Sequence, residues 1–336
     1  MCLSGVKVVV FITGICRHGC FFCPISSVKK KKDISFANER PIKQIQDIIT
    51  EIKKMEALGA SITGGEPLEK IERVIHFIKE IKNYFGEEFH IHLYTAKSKI
   101  TDEQLNRLFK TGLDEIRFHL MKKSLEPIIL KALKYSWKVG IEIPVFPDNK
   151  GYLQSIAEFS NRNELDFLIL NELEISESNR RKMKEMGYQP LSAFSFSVRN
   201  SAGVGKEIVE WISNNLDISV HFCAANTKDG IQFRQRLIRM AKRTARPYHE
   251  VTQDGSLLLG IVEGNYNQLE ILRKRLKYEL EIPTELFHLN KEGIKLEIRW
   301  DLAEALTSEF QKEGLQVALI EQYPTYDRKI ITKIPL

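Results

Sequence analysis

The sequence is poor in cysteine and has no long apolar run. Five cysteines are present among 336 residues. That is too few for the disulfide framework of a small secreted protein, and no secretory signal precedes them. None of the apolar runs approaches the roughly 20 residues that a helix needs to cross a bilayer. These shortages predict a cytoplasmic protein with no membrane partner, kept in a reducing environment.

Further absences narrow the class of protein. The sequence has no internal repeat, and it has no second cysteine cluster, so a multi-cluster enzyme is not expected. It has no recognisable cobalamin-binding motif either, which argues against B12-dependent methylation. The formal net charge of +6 permits an acidic partner without requiring one.

Three of the cysteines lie close together. Cys16, Cys20 and Cys23 have the spacing C-x3-C-x2-C and follow an apolar run at residues 6–13 that predicts a strand. Three thiolates can hold three corners of an iron–sulfur cluster and leave the fourth iron without a protein ligand. Such an open position is typical of catalytic metal sites. A structural zinc site is the alternative, with His18 as the candidate fourth ligand, whereas an electron-carrying ferredoxin would need a fourth nearby cysteine.

A second motif follows about forty residues downstream. The apolar segment 60–63 predicts a short strand, and it runs directly into Gly64, Gly65, Glu66 and Pro67. Glycines let a backbone pass close to a ligand, and a glutamate beside them accepts a hydrogen bond from a ligand ammonium. Taken alone, the segment is also typical of a turn that starts a helix.

Together the two motifs resemble the radical SAM superfamily, and within it the group related to the pyruvate formate-lyase activating enzyme. The resemblance implies that Cys16, Cys20 and Cys23 hold a [4Fe–4S] cluster and that S-adenosylmethionine (SAM) chelates its open iron. The segment 64–67 would hold the amino group of SAM, and Phe22 fits the family's cysteine loop. The implied chemistry is reductive cleavage of SAM to a 5′-deoxyadenosyl radical, which takes hydrogen from a substrate. Ferredoxin or flavodoxin would supply the electron, in an anaerobic or reducing setting.

Short apolar runs alternate with amphipathic stretches through most of the chain, which predicts a parallel sheet covered by helices. We expect an α/β fold, a full or partial (β/α) barrel with its ligands at the C-terminal ends of the strands. Strands are predicted to begin at Val6, Ala60, Phe89, Glu115, Ile141, Leu165, Phe194 and Ile218. Helices are predicted at residues 42–58, 69–85, 102–110, 124–138, 153–161, 179–186, 206–215 and 231–242.

A smaller domain is predicted after the barrel, giving boundaries of 1–247 and 248–336. Its order is βαββαβ, that of a ferredoxin-like α/β sandwich, with one extra strand at the end. We expect this domain to serve substrate recognition or dimerisation. Its strands are predicted at residues 257–263, 285–289, 294–300, 315–321 and 329–334, and its helices at 267–278 and 303–313.

Polar residues at predicted strand ends are candidate binding groups. Thr95 and His119 occupy positions where the resemblance implies contacts to the ribose of SAM. Asn179, shortly after the sixth strand, is a candidate hydrogen-bonding partner for the ribose of SAM or for a substrate. Glu174, Ser176 or Glu177 in the same segment could instead cap the next helix. Cys223 ends the eighth predicted strand with His221 on the same face. We treat Cys223 as a candidate catalytic residue, with a buried structural cysteine as the alternative.

Basic residues suggest one class of partner. The predicted helix 231–246 places Arg236, Arg239, Arg243 and Arg246 on one face, which could follow a phosphate backbone. A solvated face is the alternative, and a solvated loop is expected for the lysines at 29–32.

These features lead to three hypotheses for the substrate. The first is RNA, as in tRNA modification, because of the basic helix and the extra domain. The second is a small-molecule precursor of a cofactor or lipid. The third is a protein or peptide, as for an activase, although dedicated glycyl-radical activases are usually shorter and lack such a C-terminal domain.

Overall fold

The computed structural model describes residues 3–290 and 294–336, and the chain divides into two compact units. The first comprises Met1–Lys53 and Ala57–Gln232, and the second comprises Lys54–Glu56 and Phe233–Leu336. The division falls ahead of the predicted boundary after residue 247, so most of the predicted basic helix groups with the second unit. In the described part of the chain, no helix has the length and apolar character needed to cross a membrane.

The described residues of the first unit form a nine-stranded sheet in the order β3-β2-β1-β4-β5-β6-β7-β8-β9. From β1 through β4 to β9, each neighbouring pair is parallel, whereas β2 and β3 form an antiparallel edge. The parallel α/β fold is therefore confirmed, and over the described residues it takes the partial barrel form, with β3 and β9 at its edges. The strands are β1 (Lys7–Phe11), β2 (Phe36–Ala37), β3 (Arg40–Pro41), β4 (Gly59–Thr63), β5 (His90–Thr95), β6 (Glu115–Phe118), β7 (Lys138–Val145), β8 (Phe167–Glu172) and β9 (Val220–Cys223).

Alternation along these strands separates an apolar face from a polar one. On β5, Ile91 and Leu93 are fully buried and alternate with His92 and Tyr94. Apolar residues at helical spacing cover the first face, and the polar residues line the other. The covering helices are α1 (Ile45–Met55), α2 (Ile71–Phe85), α3 (Asp102–Phe109), α4 (Glu126–Ala132), α5 (Lys150–Arg162), α6 (Arg180–Glu185) and α7 (Ser201–Asn215), with short 3-10 helices at Pro67–Lys70 and Lys123–Leu125.

Two predicted elements of the first unit are wrong. The strand expected at Phe194 is instead part of a hairpin loop, held by isolated bridges from Glu174 to Ser197 and from Pro190 to Val198. The alternation of Phe and Ser imitates a half-buried strand, but Phe194 is 98% exposed. The helix expected over 124–138 ends at Ala132, and its last predicted residue begins β7.

The second unit has an antiparallel sheet in the order β12-β13-β11-β14-β15, with β10 paired to β11. This is the predicted ferredoxin-like βαββαβ order, extended by one edge strand. The predicted turn between β12 and β13 includes residues 291–293, which lie outside the described residues. The strands are β10 (Glu250–Val251), β11 (Leu257–Glu263), β12 (Phe287–Asn290), β13 (Lys295–Ile298), β14 (Gln316–Gln322) and β15 (Ile330–Pro335). The helices are α8 (Arg234–Thr244), α9 (Tyr266–Tyr278) and α10 (Trp300–Lys312), with a 3-10 helix at Thr284–Leu286. A π-helix at Thr227–Phe233 precedes α8, and all of it but Phe233 belongs to the first unit.

Arginines of the basic helix α8 are largely engaged within the second unit. Arg239 donates to the carbonyl oxygens of Met55 and Glu56 at 2.9 and 2.8 Å. Arg243 pairs with the Glu56 carboxylate, and Arg236 lies over the Phe233 ring at 4.9 Å. The face expected to follow a phosphate backbone is thus partly occupied by the protein itself.

Candidate functional site

The two sequence motifs lie side by side because they follow neighbouring parallel strands. The loop that carries the three cysteines, residues 12–24 and here called the cysteine loop, follows β1, and the segment 64–67 follows β4. Backbone hydrogen bonds join them: Gly65 N–H donates to the Thr13 carbonyl at 2.7 Å, and Glu66 N–H donates to the Ile15 carbonyl at 2.9 Å. The motifs therefore form one structure.

The glycines of the second motif are required by this contact. A Cβ atom on Gly65 would lie 2.5 Å from the Ile15 carbonyl oxygen and 2.9 Å from Cβ of Cys16. A Cβ on Gly64, whose φ is +156°, would lie 2.7 Å from the Thr13 carbonyl oxygen. The sequence interpretation assigned both glycines to the approach of a ligand, whereas the structure shows the cysteine loop filling that space.

Glu66 is 1% exposed, and most of its hydrogen-bonding capacity is used by the protein. Its Oε1 accepts hydrogen bonds from the Thr95 hydroxyl at 2.7 Å and from Leu68 N–H at 3.1 Å. Its Oε2 accepts one from Ala96 N–H at 2.8 Å and lies 3.6 Å from His18 Nε2. A carboxylate has about four acceptor positions, so one remains for a ligand donor such as an ammonium group.

The three clustered cysteines are partly buried and not disulfide-bonded. Burial is the main cause that raises the pKa of Cys16 and of Cys20. The charges of Glu66 and then Cys23 raise the pKa of Cys16 further, and those of Cys16 and Cys23 raise the pKa of Cys20 further. Within residues 3–290 and 294–336, no three His, Cys, Asp or Glu side chains are grouped as ligands of a single metal ion. The donor set itself, three thiols on one loop, is chemically suited to a cluster with an open iron.

Aromatic side chains anchor the cysteine loop, a feature that the sequence analysis missed. The Phe22 ring lies 5.2 Å from Phe146 and 5.7 Å from His119. The Phe21 ring stacks on Tyr188 at 5.9 Å with an interplanar angle of 4°. Phe22 therefore lies at the site but packs against protein side chains, which fix the loop between Cys20 and Cys23.

Asn179 holds the same loop through its side-chain amide. It is 1% exposed, and its Nδ2 donates to the carbonyl oxygens of Phe22 at 2.8 Å and Glu174 at 3.0 Å. Its Oδ1 accepts a hydrogen bond from Ser176 N–H at 2.7 Å. The Asn179 side chain therefore fastens the cysteine loop to the segment that follows β8. Asn179 directly precedes α6, but its side chain makes no capping hydrogen bond to that helix.

Asp33 holds the start of the cysteine loop. Its carboxylate accepts a hydrogen bond from Thr13 Oγ1 at 2.9 Å and pairs with Arg73 and Lys70 at 2.7 and 2.8 Å. Hydrogen bonds from Arg73 and then Lys70 hold the pKa of Asp33 well below its usual range. The lysine segment packs beside it, because Gly14 N–H donates to the Lys32 carbonyl at 2.8 Å.

Thr95 and His119, the other expected cofactor contacts, are both found near Glu66. Thr95 is 2% exposed and donates to Glu66, so it orients that carboxylate. His119 N–H donates to the Thr95 carbonyl at 2.8 Å, and its Nδ1 lies 3.0 Å from the Glu142 carbonyl. Burial lowers the pKa of His119, so the ring is neutral. With Nδ1–H donating to Glu142, Nε2 is an acceptor.

Cys223 lies at the end of β9, at the C-terminal edge of the sheet, and is 8% exposed. Its register partner is Asn171 on β8, and Gln232 Nε2 is 4.0 Å from its sulfur. Asn171 Nδ2 donates to Glu142 Oε1 at 2.8 Å. This places Cys223 at the expected edge, whereas His221 is exposed.

Charged residues on the polar face of the sheet were also missed. Arg117 pairs with Glu142 at 2.8 Å and with Glu115, and it donates to Tyr94 Oη at 3.1 Å. Each of these side chains alternates along its strand with a buried apolar neighbour. That alternation in the sequence could have predicted that they share the polar face of the sheet.

A second group of polar residues occupies the same face. Lys7 Nζ lies 2.9 Å from His92 Nδ1 and 3.2 Å from His90 Nδ1. It reaches them across β4, where Gly59 and Ser61 are small. Burial, then the charges of Arg117 and Lys7, lowers the pKa of His92 well below its usual value.

Comparison with known proteins is consistent with this site. Residues 10–159 match the model of the radical SAM superfamily, and residues 255–336 match a domain of unknown function, DUF8061. A protein of Methanocaldococcus jannaschii, MJ0021, provisionally named a glycyl-radical enzyme activating enzyme, is 34% identical over 350 residues. That alignment covers 100% of this chain and 91% of the relative. The chain belongs to the radical SAM superfamily, in the group resembling the pyruvate formate-lyase activating enzyme. It is therefore an enzyme whose cofactors are a [4Fe–4S] cluster and SAM.

Solved structures resemble the chain more distantly. Streptococcus suis SuiB bound to precursor peptide SuiA is 14% identical with a TM-score of 0.49, covering 75% of this chain and 58% of that one. The Escherichia coli coproporphyrinogen III oxidase HemN is 10% identical with a TM-score of 0.40, covering 63% and 55%. The chain spans little more than half the length of either protein, and likeness at this level says nothing about the substrate.

Proposed function

We propose that this protein is an activating enzyme that uses SAM to generate a radical on a partner protein. The observation that carries the proposal is the 34% identity to the provisionally named activating enzyme of M. jannaschii, which extends over all of this chain. The second unit is included in that alignment. The extra C-terminal domain, which the sequence analysis counted against an activase, is thus shared with a protein that bears the activase name.

In this proposal Cys16, Cys20 and Cys23 hold the cluster, and the segment 64–67 holds SAM. When bound, the cluster and SAM supply the radical that removes a hydrogen atom from the substrate. The remaining acceptor position of Glu66 receives the SAM ammonium group, because a buried carboxylate is the natural partner of a cation. Thr95 and the backbone of Ala96 keep Glu66 in that orientation.

The other strand-end residues are assigned to the ribose and the substrate. His119, held by Glu142 through Nδ1, offers Nε2 as an acceptor to a ribose hydroxyl. Cys223, at the edge of the same sheet, contacts the substrate. Its replacement by alanine should leave SAM cleavage intact and reduce substrate turnover. We place the enzyme in an anaerobic cytoplasm, with a ferredoxin or flavodoxin as electron donor and the second unit as the substrate-recognition or dimerisation domain.

RNA and small molecules have less support as substrates. The basic helix that favoured RNA has Arg239 and Arg243 engaged with Met55 and Glu56. No described feature identifies a particular small molecule. The name of the relative, an activating enzyme for another enzyme, therefore favours a protein substrate among the three hypotheses.

The test is release of 5′-deoxyadenosine by the anaerobically reconstituted enzyme with SAM and dithionite, in the presence of a native cell extract. Stimulation that survives ribonuclease and disappears after proteinase digestion would support a protein substrate. A protein-bound radical seen by electron paramagnetic resonance would establish it. Stimulation that survives proteinase and disappears after ribonuclease would overturn the proposal, as would stimulation by the small-molecule filtrate alone.

A further inference from the structure

An ordered hairpin at residues 189–199 holds large apolar side chains in solvent. Leu191 is 58% exposed, Phe194 98% and Phe196 57%. Leu191 N–H donates to the Ser197 carbonyl at 2.8 Å, and Ile175 N–H donates to the Phe196 carbonyl at 2.7 Å. Exposed large apolar side chains that lie close together in the chain are frequent at interaction surfaces.

The same surface is strongly basic. Residues 180–199 contain five basic side chains and one acidic side chain, and the acid, Glu185, is paired with Arg181 at 3.0 Å. On α6, Met183 is buried and the other residues are exposed. We call the exposed residues of α6 together with this hairpin the α6 surface. Its charge fits an acidic partner, and its apolar tip fits a small interface with an apolar centre.

The α6 surface lies directly on the cysteine loop. Met183 of α6 belongs to the apolar cluster against which Phe21 and Phe22 pack. Asn179, just before α6, donates to the Phe22 carbonyl, and Tyr188, just before the hairpin, stacks on Phe21. A protein bound to this surface would be separated from the cysteine loop by little more than one layer of side chains.

We infer that the α6 surface is the docking site of the acidic electron-transfer protein that reduces the cluster. One electron passes from the reduced donor to the oxidised cluster, and no atom is transferred. An electron donor must bind close to the loop that holds its acceptor, and this surface meets that requirement. The inference rests on membership of the radical SAM superfamily and on the assignment of the cluster to the cysteine loop. It does not depend on whether the substrate is a protein.

The first test measures binding of the reconstituted enzyme to an acidic flavodoxin by titration calorimetry at low and at physiological salt. R181E/K184E reverses two charges of the surface, and Phe194→Ser removes its most exposed apolar side chain. We expect about tenfold weaker binding for the charge reversal at low salt, with a smaller difference at high salt. For Phe194→Ser we expect a loss of about threefold to tenfold at both salt concentrations.

Matched controls come from α9 of the second unit. K274E/K277E makes the same charge change at exposed positions, and Ile271→Ser removes an apolar side chain that is 65% exposed. We expect flavodoxin binding within twofold of wild type for both controls. Equal weakening in control and test variants would overturn the inference, because binding would then follow net charge alone. Unchanged binding in the test variants would overturn it as well.

The second test compares reductants in SAM cleavage. With reduced flavodoxin, R181E/K184E should release 5′-deoxyadenosine about tenfold more slowly at low donor concentration, whereas with dithionite it should match wild type. An equal loss with both reductants would overturn the inference. So would normal reduction by flavodoxin combined with weaker binding of a protein or RNA substrate. An RNA or small-molecule substrate would refute the proposed function and leave this result unchanged.

Discussion

The two units of this protein bury different kinds of residue. In the first unit, the polar face of the sheet contains His92 and Arg117, which are 2% and 9% exposed, and Glu66, just after β4, is 1% exposed. In the second unit, the core is aliphatic and aromatic, with Leu272 and Phe310 fully buried. Buried ion pairs contribute little net stability compared with apolar side chains of similar volume. We therefore attribute the buried charges of the first unit to the geometry that a functional site requires. The apolar core of the second unit serves to stabilise its fold.

The largest effect is expected from removing one of the clustered cysteines, because this abolishes the function that we assign to the first unit. Cys16→Ala leaves two thiolates, and we expect cluster content and SAM cleavage to fall to the background of the assay. Iron analysis and 5′-deoxyadenosine release measure the two losses. Cys223→Ser is the control, because Cys223 lies at the end of β9 and is not part of the cysteine loop. We expect the Cys223→Ser enzyme to retain the cluster. A Cys16→Ala enzyme with full iron content would contradict the ligand assignment.

The next largest effect tests the cost of buried charge. Arg117→Met leaves Glu115 and Glu142 without their shared cation, and we expect a loss of about 3–5 kcal/mol in the free energy of unfolding. Replacing both carboxylates as well, in R117M/E115Q/E142Q, should recover much of that loss, because no unpaired charge remains. Urea unfolding of the three proteins measures this. A single variant within about 1 kcal/mol of wild type would show that water already screens these charges.

Sequence reasoning succeeded where the signal lies in contiguous residues. The cysteine spacing, the Gly64 to Pro67 segment and the order of elements in both units are local patterns, and alternation of strands and helices brings the two motifs to one edge. It failed where alternation of Phe and Ser near Phe194 imitated a strand. Contacts such as Asn179 with Phe22 or Arg73 with Asp33 join residues far apart in the chain. Only the folded arrangement of loops determines them.

A smaller effect is expected at the carboxylate that we assign to SAM. Glu66→Gln keeps the size of the side chain and removes its charge, so a charge-assisted hydrogen bond to the SAM ammonium becomes a neutral one. We expect SAM binding to weaken by about 10- to 100-fold, corresponding to about 1.5–3 kcal/mol. Equilibrium dialysis with the reconstituted enzyme measures the affinity. Thr95→Val removes one positioning hydrogen bond and should cost less, and equal losses for both variants would argue against direct contact by Glu66.

The smallest effect concerns the second unit, where a half-buried histidine lies beside charged groups. His249 Nδ1 accepts a hydrogen bond from Arg246 N–H at 2.9 Å, and its Nε2 is buried without a partner among the described residues. Burial, then the charge of Arg328, lowers the pKa of His249 to about 4. Glu297 acts in the opposite direction, while Arg246 and Lys295 lower the pKa further.

The sign of the pH dependence follows from that lowered pKa. Near pH 7 the imidazole is neutral in both states, whereas between about 6.5 and 4 the unfolded chain binds a proton that the folded unit does not. Stability is thus lost as the pH falls, by about 1 kcal/mol at pH 5 after allowance for solvent screening. A W137F/W211F background leaves Trp300 as the fluorescent reporter of the second unit in urea unfolding. His249→Asn keeps an acceptor for Arg246 and should flatten the dependence. If the loss of stability at low pH persists in His249→Asn, another group of the second unit takes up the proton. The second unit would then resemble the first more closely, because it too would bury a further titratable group.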